Sequence, residues 1–433
     1  MTPALYSRRR ELGLLLTLAG IQFTHIVDFM IMMPLGPQLT RLFGISDAQF
    51  GLLVSSYTFA AGVSGLLAAG YIDRFDRKRL LLVLYGGFAL ATLACGLAPT
   101  FGSLMAARIA AGAFGGVLTA LAHTIVADVI PFERRGRAAA VVMSAFSLAT
   151  VAGVPGGLWL AAWAGWHMPF IAIAILCGVL AVAAAWTLPA LRHHLSDGAS
   201  PIGVWRGMGE VLADANHRRA FLFSGLLMAT GFTTIPYITL FTTSNAGLLD
   251  HQIPLLYLFG GIGSLLTARW VGRWTDRHGK VRVFGWLALA VLVPLLGIAL
   301  GPAAWAWAFD QPLVAPVPLL ALVAVVVLST AQFVVMSGRM IPGMAILASA
   351  ADPARRGTFM AFNGAVQSAA MGLAALVGGL IISRDDNGLL RHYWVASLLG
   401  CAASLASIWV ARRLKLHTQQ FGPNPVTAQA KAH

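Results

Sequence analysis

The amino-acid sequence predicts an all-α membrane protein with twelve transmembrane helices in two matched halves. Of its 433 residues, 58% are hydrophobic and 11% are charged, whereas about one quarter of the residues in soluble domains are charged. Twelve apolar stretches each contain the roughly 20 residues that a helix needs to cross a bilayer. A charged turn between two stretches of the first half recurs in the second half. These three observations exclude a soluble globular fold.

The twelve stretches, called spans 1 to 12 below, divide evenly between the halves. Their approximate limits are residues 12–34, 48–71, 79–98, 101–127, 136–162, 167–188, 220–242, 253–273, 282–300, 322–348, 357–383 and 392–412. A polar segment separates span 6 from span 7. We therefore expect an N-terminal six-helix bundle (1–190), a cytoplasmic linker (191–219), a C-terminal six-helix bundle (220–415) and a cytoplasmic tail (416–433).

The distribution of basic residues predicts the orientation of the chain. The N-terminus, the even-numbered loops, the linker and the C-terminus hold 24 of the 30 Lys and Arg residues, and loops with such an excess stay in the cytoplasm. The odd-numbered loops hold only Arg41, Arg384 and Arg391. We expect a multi-pass protein of the inner membrane with both termini in the cytoplasm. Because its basic residues are spread over short loops, the net charge of +14 does not indicate a nucleic-acid partner.

Span 1 follows Arg8, Arg9 and Arg10 and so resembles a signal peptide. Its apolar run, residues 12–33, is too long for that, and no small-residue cleavage site follows. An uncleaved first helix is therefore predicted. The three cysteines lie far apart inside apolar runs, which predicts neither a disulfide framework nor a metal cluster.

The repeated turn joins span 2 to span 3 and span 8 to span 9. Residues 69–79 read Ala-Gly-Tyr-Ile-Asp-Arg-Phe-Asp-Arg-Lys-Arg, and residues 272–282 read Gly-Arg-Trp-Thr-Asp-Arg-His-Gly-Lys-Val-Arg. Asp73 and Asp276 are 203 residues apart, and a second repeated marker, Gly136 and Gly357, is 221 apart. One duplication with an insertion in residues 301–316 explains both offsets.

These turns resemble the signature loop of the major facilitator superfamily, Gly-x-x-x-Asp-Arg-x-Gly-Arg-Arg. The first copy departs from it at Ala69 and Asp76, whereas the second keeps both glycines. The resemblance covers essentially the whole chain and implies the major facilitator fold, in which two pseudo-symmetric six-helix bundles surround a central cavity. It also implies a transporter rather than an enzyme, without a cofactor. The residues that it assigns to gating are Asp73, Arg74, Arg77, Asp276 and Arg277.

Ionisable side chains inside a span are costly and therefore mark candidate functional sites. Span 1 contains His25 and Asp28, and span 4 contains Arg108 followed by Gly112, which resembles the family's Arg-x-x-x-Gly motif. Asp28 and Arg108 each lie seven residues below the outer end of their spans, so both are about 10 Å deep and are expected to pair. We predict that Asp28 carries a coupled proton and that Arg108 sets its affinity. A static ion pair is the alternative, and His25 is expected to form a hydrogen bond rather than to relay the proton.

Span 5 contains Gly153, Pro155 and Gly157, within a degenerate form of the Gly-x-x-x-Gly-Pro-x-x-Gly-Gly motif. That motif is associated with export by drug:proton antiporters. Pro155 removes one backbone donor and bends a helix, and the glycines let a neighbour pack on the bend. Because a bent, closely packed helix suits a moving interface, Gly153, Pro155 and Gly157 are expected to act in the conformational change. Because Val154 separates Gly153 from Pro155, a purely structural kink is the alternative.

Polar side chains of spans 1, 7, 10 and 11 are candidates for the wall of the substrate cavity. The predicted cavity residues are Gln22, Arg339, Tyr237, Asn363 and Gln367, with Thr233, Thr234 and Ser368 on the same helices. At helical spacing, the polar residues of span 7 and those of span 11 are each expected to line one face of their helix. Hydrogen bonds between helices are the alternative role, and for Arg339 the alternative is a cation bound to backbone carbonyl groups. Met30, Met32 and Met33 add an adaptable apolar surface near Asp28. His123 is predicted to be a core histidine.

The leading functional hypothesis is a proton-driven exporter of drugs or small amphipathic metabolites, resembling the twelve-helix drug:proton antiporters. Its expected partners are a small-molecule substrate, protons and the lipid bilayer, and it is expected to be a monomer. An alternative is uptake or exchange of an organic anion, since Arg108 and Arg339 outnumber the one embedded acid. A remote alternative is a membrane-embedded enzyme that uses His25 and Asp28. No phosphate-binding loop of the Gly-x-x-x-x-Gly-Lys-Ser/Thr type is present, which indicates an ion gradient as the energy source.

Overall fold

The computed structural model describes residues 8–68, 70–131, 134–189, 191, 201–309, 313, 317–352 and 355–417. Most of the predicted tail and part of the predicted linker, residues 192–200, lie outside this range. The side chains of Asp73 and His123 are also outside the described part, so their predicted roles stay predictions.

Helices make up almost all of the described chain. They are α1 (Arg8–Ile31), α2 (Gly36–Phe43), α3 (Asp47–Ala68), α4 (Arg77–Gly96), α5 (Phe101–Val129), α6 (Arg135–Leu148), α7 (Val154–Ala164), α8 (Met168–Thr187), α9 (Pro201–Ala213), α10 (Ala215–Phe232), α11 (Ile238–Asn245), α12 (Ile253–His278), α13 (Lys280–Ala290), α14 (Leu292–Phe309), α15 (Leu319–Ala350), α16 (Arg356–Ile381) and α17 (Tyr393–Arg413). Three 3₁₀ turns cover Ile72–Arg74, Ile235–Tyr237 and Asp250–Gln252, and a π-helical turn covers Ala149–Gly153. Strands β1 (Ser383–Arg384) and β2 (Leu390–Arg391) form an antiparallel hairpin.

Twelve helical segments of the described chain are long and apolar enough to cross a membrane, as the sequence predicts. Because the number of spans is even, the chain begins and ends on the same side, and Asn216 there bonds the backbone oxygens of Ala350 and Lys415. We call this side the linker face. The opposite side, with α2, α11 and the β1–β2 hairpin, is called the distal face.

The two halves pack against each other mainly through α3 and α16. Three glycines make this close approach possible, because a Cβ at Gly51, Gly62 or Gly372 would meet atoms of the other half. Within the first half, α5 presses against α3 in the same way, since a Cβ at Gly112 or Gly116 would overlap backbone atoms of α3. Small residues let membrane helices approach closely and gain van der Waals contact.

Span 7 differs from the continuous helix that the sequence predicts over residues 220–242. It begins at Ala215, inside the predicted linker, because the Asp214 carboxylate caps it by accepting the N–H groups of Asn216 and His217. It is interrupted after Phe232, next to Pro236, which has no N–H to continue the helical ladder. Thr233, Thr234 and Tyr237 therefore do not lie on one regular helical face, contrary to the prediction.

The two copies of the charged turn have different backbones. In the first copy, Asp76 caps α4 by accepting the N–H groups of Lys78 and Arg79. In the second copy, α12 continues through Asp276 and Arg277 to His278 and stops at Gly279, whose φ of 85° favours glycine. The predicted end of span 8 near residue 273 was therefore wrong. Asp76 replaces the family's inner glycine because a cap, rather than a left-handed residue, starts α4.

Next to these turns, residues at equivalent positions of the two halves form equivalent contacts. Arg77 Nε lies 2.5 Å from the Asp128 carboxylate. The residues at matching positions are Lys280, 203 positions later, and Ser349, 221 positions later, and the Lys280 amine donates to the Ser349 hydroxyl group. The same contact is thus an ion pair in the first half and a cation–hydroxyl hydrogen bond in the second.

Span 5 contains a π-helical turn at Ala149–Gly153, immediately before Pro155. There the N–H of Val154 donates to the carbonyl group of Ala149, five residues earlier. Gly153, the last residue of this turn, and Gly157 both face α1, since a Cβ at Gly153 would meet Phe23 and Val27, and one at Gly157 would meet Ile31. Span 5 also contacts α12 of the second half, where Thr150 and Val151 lie against Gly261.

Candidate functional site

The structure brings Asp28 and Arg108 into direct contact. Arg108 Nη1 lies 2.9 Å from Asp28 Oδ2 and also donates to the Asp28 backbone oxygen at 3.2 Å. The side chains are 0% and 1% exposed. The guanidinium carbon of Arg108 lies 4.2 Å from the centre of the Tyr57 ring, an arrangement in which the ring face attracts the cation. Span 1 and span 4 thus meet through one buried ion pair.

The pair is incompletely bonded, and this bears directly on its chemistry. Asp28 Oδ1 and Arg108 Nε are buried and form no hydrogen bond of regular geometry among the described residues. The Thr92 hydroxyl group lies beside the Asp28 carboxylate, and the Cys95 thiol lies beside Arg108. A carboxylate with one oxygen held by a guanidinium and the other free has an open position for a proton. The alternative, a purely structural ion pair, is expected to use all of its hydrogen-bonding groups.

Neighbouring helices fix the positions of both side chains. Gly112, one turn after Arg108, lets α5 approach the backbone of Tyr57 on α3. One turn before Asp28 on α1, the hydroxyl groups of Thr24 and Tyr85 lie 2.9 Å apart. The site therefore depends on contacts among four helices of the first half.

His25 does not form the hydrogen bond that the sequence interpretation favours. Both of its ring nitrogens are buried without a hydrogen-bond partner among the described residues. Its ring lies between aromatic rings, with centroids 6.1 Å from that of Tyr57 and 5.8 Å from that of Phe88, and against Gly115, where a Cβ would overlap it. The prediction failed because sequence spacing places His25 one turn from Asp28 but does not show what surrounds the ring.

A second polar group lies in the second half, around Arg339. Arg339 is 2% exposed, and its Nη2 donates to the backbone oxygen of Leu227 at 2.6 Å. Its Nε and Nη1 have no hydrogen-bond partner, and no carboxylate lies within ion-pair distance, in the part of the chain that the structure describes. The carbonyl contact agrees with the structural alternative, while the two unpartnered nitrogens leave room for a ligand acceptor.

Three further amide side chains lie in the same half, and two of them are buried with unused hydrogen-bonding atoms. Gln367 donates to Ser224 at 3.2 Å, and Asn363 Oδ1 has no partner among the described residues. Sequence reasoning missed Gln332, which is 1% exposed with neither amide atom bonded. The repeat offset of 221 places Ser329, one turn earlier, at the position of Arg108. That correspondence is the signal that would have identified Gln332.

Two of the predicted cavity residues contact protein instead. Gln22 accepts a hydrogen bond from Thr119 at 3.3 Å. The hydroxyl group of Tyr237 donates to the Ala375 backbone oxygen at 2.5 Å, beside Gly51 and Gly379 at the distal end of the α3–α16 contact. The predicted cavity set is therefore not gathered in one place.

The distal face joins the halves through two ion pairs that the sequence interpretation missed. The Asp47 carboxylate, 3% exposed, receives Nε and Nη2 of Arg384 at 3.1 and 3.2 Å. Arg41 Nη2 lies 2.9 Å from Asp250, within a groove of about 740 Å³ between α2, α7 and α11. Arg41 and Arg384 are two of the three basic residues in the odd-numbered loops, and that isolation was the available signal.

The predicted gating residues lie at the linker face, in different environments. Arg77 is 5% exposed and pairs with Asp128. Arg74, Asp276 and Arg277 are exposed. The second copy of the turn thus presents its charges to the surroundings, whereas the first copy buries one of them.

Comparison with known proteins identifies relatives along most of the chain. A family model described as Major Facilitator Superfamily matches residues 18–337. A chloramphenicol resistance protein of Streptomyces lividans is 31% identical over 267 residues, which are 59% of this chain and 67% of that protein. An uncharacterized MFS-type transporter of Bacillus subtilis, YtbD, is 22% identical over 403 residues, which are 93% of this chain and 96% of the relative.

Solved structures share the fold over nearly the whole chain. A D-xylose-proton symporter superimposes with a TM-score of 0.71 at 17% identity, covering 96% of this chain and 100% of that chain. A bacterial homolog to the human lysosomal transporter Spinster, in an inward-facing and occupied conformation, gives a TM-score of 0.70 at 17% identity and covers 95% and 98%. At these identities the similarity shows the fold alone.

Proposed function

Because this chain belongs to the major facilitator superfamily, we propose that it is a proton-coupled secondary transporter that exports drugs or small amphipathic metabolites. Its family and fold are those of transporters that work by alternating access, not of enzymes. The export direction is supported by similarity to the chloramphenicol resistance protein. The proposal includes an inner-membrane location, cytoplasmic termini and a monomer of two six-helix domains.

The observation that carries the proposal is the free oxygen of Asp28 beside its contact with Arg108. When Asp28 is ionised, the guanidinium holds α1 and α5 together. A proton on Asp28 removes the charge that attracts Arg108, so the two helices are released from each other. Proton binding then favours one arrangement of the first half, and substrate binding that favours the other arrangement couples the two fluxes.

The contacts at the distal face supply the other part of the cycle. The ion pairs Asp47–Arg384 and Arg41–Asp250 connect the halves. They exist only while the distal side is closed, so opening that side breaks them. In the proposed cycle, protonation of Asp28 and substrate occupancy together decide when these contacts form and when they break.

The test compares transport and binding in the Asp28→Asn variant. In inverted vesicles driven by a proton gradient, drug accumulation is expected to fall to the level of vesicles without the protein, because asparagine cannot exchange a proton. Binding of the same drug to purified protein is expected to persist. Asp386→Asn, which removes an exposed acid from the turn between β1 and β2, is the control that should keep proton-dependent transport. Gradient-driven accumulation by Asp28→Asn would show that the proton uses another residue.

A second candidate function is exchange of an organic anion, and Arg339 is the observation that favours it. Its buried guanidinium has two unpartnered nitrogens and no carboxylate at ion-pair distance among the described residues. A substrate carboxylate would complete that set of bonds. In proteoliposomes, competition of carboxylate compounds with a labelled drug, abolished in Arg339→Gln, would favour this function over export of neutral or cationic drugs.

A further inference from the structure

Three arginines, called the ladder below, lie in a row at the linker-face end of α12. Arg269, Arg273 and Arg277 follow one another at intervals of four residues and are all exposed. At about 1.5 Å per residue, they occupy one side of the helix over roughly 12 Å. None lies within ion-pair distance of a described carboxylate, although Asp276 is on the same turn of helix. The three charges are therefore available to an external anion.

The ladder lies on an exposed side of α12 and is not packed against another helix of the described chain. It continues a stripe of exposed apolar residues on α12, formed by Phe259, Ile262 and Leu266 at helical spacing. A neighbouring side of α12 packs on α15, where a Cβ at Gly260 or Gly263 would meet Phe333 or Val334. An arginine that follows an apolar, outward-facing stripe near a helix end extends its charge toward the headgroup layer.

Tryptophans border the ladder on α12 and α13. The Trp270 and Trp274 rings stack with centroids 5.1 Å apart, and Trp286 meets Trp274 at 5.7 Å. Trp270 is 58% exposed and Trp286 is 43% exposed. Such rings are preferred at the boundary between hydrocarbon and headgroups. One phospholipid molecule can contact both groups, because its acyl chains pack against the tryptophan rings and its phosphate binds the arginines beside them.

The internal repeat provides a comparison within the same chain. Positions 203 residues earlier than Arg269 and Arg273 hold Leu66 and Gly70, and the position matching Trp286 holds Val83. Only Arg277 has a basic counterpart, Arg74. The equivalent surface of the first half therefore lacks both the ladder and the tryptophans. General topology rules act on both halves alike, so they do not account for this difference.

We propose that Arg269, Arg273 and Arg277, with Trp270, Trp274 and Trp286, form a binding site for an anionic phospholipid in the leaflet at the linker face. Guanidinium groups bind phosphate oxygens through paired hydrogen bonds, which an ammonium group does not match. Basic clusters beside membrane helices bind anionic headgroups in this way. The site adjoins Gly279 and the second copy of the charged turn, so an occupied site ties this turn to the bilayer. The inference is independent of the transported substrate and of proton coupling.

The test measures the thermal unfolding of purified protein in detergent as phosphatidylglycerol is added. Phosphatidylcholine with the same acyl chains and inorganic phosphate form the comparison arms. We expect phosphatidylglycerol alone to raise the Tm. The triple variant R269Q/R273Q/R277Q should bind it on the order of one hundredfold more weakly, since each arginine at an anionic membrane surface contributes about a fivefold factor. The matched control R79Q/R219Q/R412Q removes three other exposed arginines and should behave as wild type.

Three results would overturn the proposal. They are an unchanged response to phosphatidylglycerol in the ladder variant, an equal response to phosphatidylcholine, and an equal response to inorganic phosphate, which would indicate a site for a soluble anion. If the triple variant does not fold, the single variant Arg273→Gln should still weaken binding about fivefold. As a second measurement, phosphatidylglycerol with brominated acyl chains should quench tryptophan emission in wild type more than in either ladder variant.

Discussion

At the scale of single residues, Arg108 and Arg339 are both buried, but replacing them is expected to change the stability of the fold in opposite directions. Arg108 neutralises Asp28, whereas Arg339 has only a carbonyl oxygen as its partner among the described residues. Arg108→Met leaves a buried carboxylate unpaired and is expected to cost about 3 to 5 kcal/mol. Arg339→Met removes an unpaired charge from the membrane interior and is expected to stabilise the fold by about 1 to 3 kcal/mol. Thermal unfolding of the two variants in detergent measures the difference.

The Arg339 variant also separates the two roles left open for this residue. If Arg339 binds substrate, the stabilised variant should lose substrate binding. If it serves only the fold, the variant should be destabilised and should bind normally. A variant that is both more stable and fully active would exclude both roles.

Asp214 gives a pH-dependent prediction at the start of span 7. The backbone N–H of His217, followed by that of Asn216, holds the pKa of the Asp214 carboxyl below its usual value. A depressed folded-state pKa means that the cap contributes stability above the unfolded pKa of about 3.9 and loses it as the pH falls through the folded value. Asp214→Ala should therefore cost about 1 kcal/mol at pH 7 and progressively less below about pH 4.

Asp214→Asn serves as the matched control for this effect. It keeps an oxygen that accepts the same N–H groups but does not titrate in this range. Its stability relative to the alanine variant should stay constant with pH. A wild-type advantage over alanine that persists undiminished at pH 2 would contradict the assignment of the cap to the carboxylate.

At the scale of elements, glycine contacts determine how closely the helices approach. A Cβ at Gly116 would overlap the backbone of Ala61, and backbone atoms cannot move aside as a flexible side chain does. Gly116→Ala is therefore expected to destabilise the first half by about 1 to 3 kcal/mol. Gly178→Ala, in the interior of α8 with open space around it, should instead stabilise by up to about 1 kcal/mol through helix propensity. Unfolding temperatures of the two variants that move in the same direction would refute this account.

The sequence predicted the existence and order of these elements better than their ends. Apolar length alone gives the twelve spans, because a bilayer requires it. The start of span 7 depends on a capping carboxylate, and the end of α12 depends on the backbone angles of Gly279. Such hydrogen bonds and angles are local details that hydrophobic length does not report.

In the candidate site, likewise, the sequence predicts one ion pair and does not predict another. Asp28 and Arg108 were predicted as partners because equal depth in two neighbouring spans restricts where each can lie. Arg384 and Asp47 are 337 residues apart and belong to loops of different halves. No pattern in a single sequence relates them, since their contact depends on how the two bundles dock.

At the scale of the whole molecule, the Asp47–Arg384 pair is expected to bias the closed state of the distal face. Asp47→Arg should shift the population toward an open distal face by about fivefold, which corresponds to roughly 1 kcal/mol for a partly exposed pair. The exchanged pair Asp47→Arg with Arg384→Asp should restore the closed state. Electron–electron distances between spin labels at Gln38 and Ser244, which line the distal groove, report the two populations.

The restoring double variant is the control for this prediction. Loss of folding would affect the single and double variants alike. An ion pair that keeps the distal face closed is instead restored when its two charges are exchanged. A distance distribution that is the same in wild type and in Asp47→Arg would show that helix packing alone keeps the distal face closed.

The π-helical turn of span 5 has a consequence for how this protein is aligned with its relatives. One residue added to an α-helix rotates everything after it by about 100°, so an in-frame codon inserted into a membrane span normally turns lipid-facing positions inward. A five-residue hydrogen-bonded step such as Ala149 to Val154 absorbs the added residue within one turn. Gly153 and Gly157, on either side of Val154, both still face α1. An alignment gap at Val154, inside a transmembrane segment, is therefore structurally sound, and ungapped comparison would misassign every residue of α7.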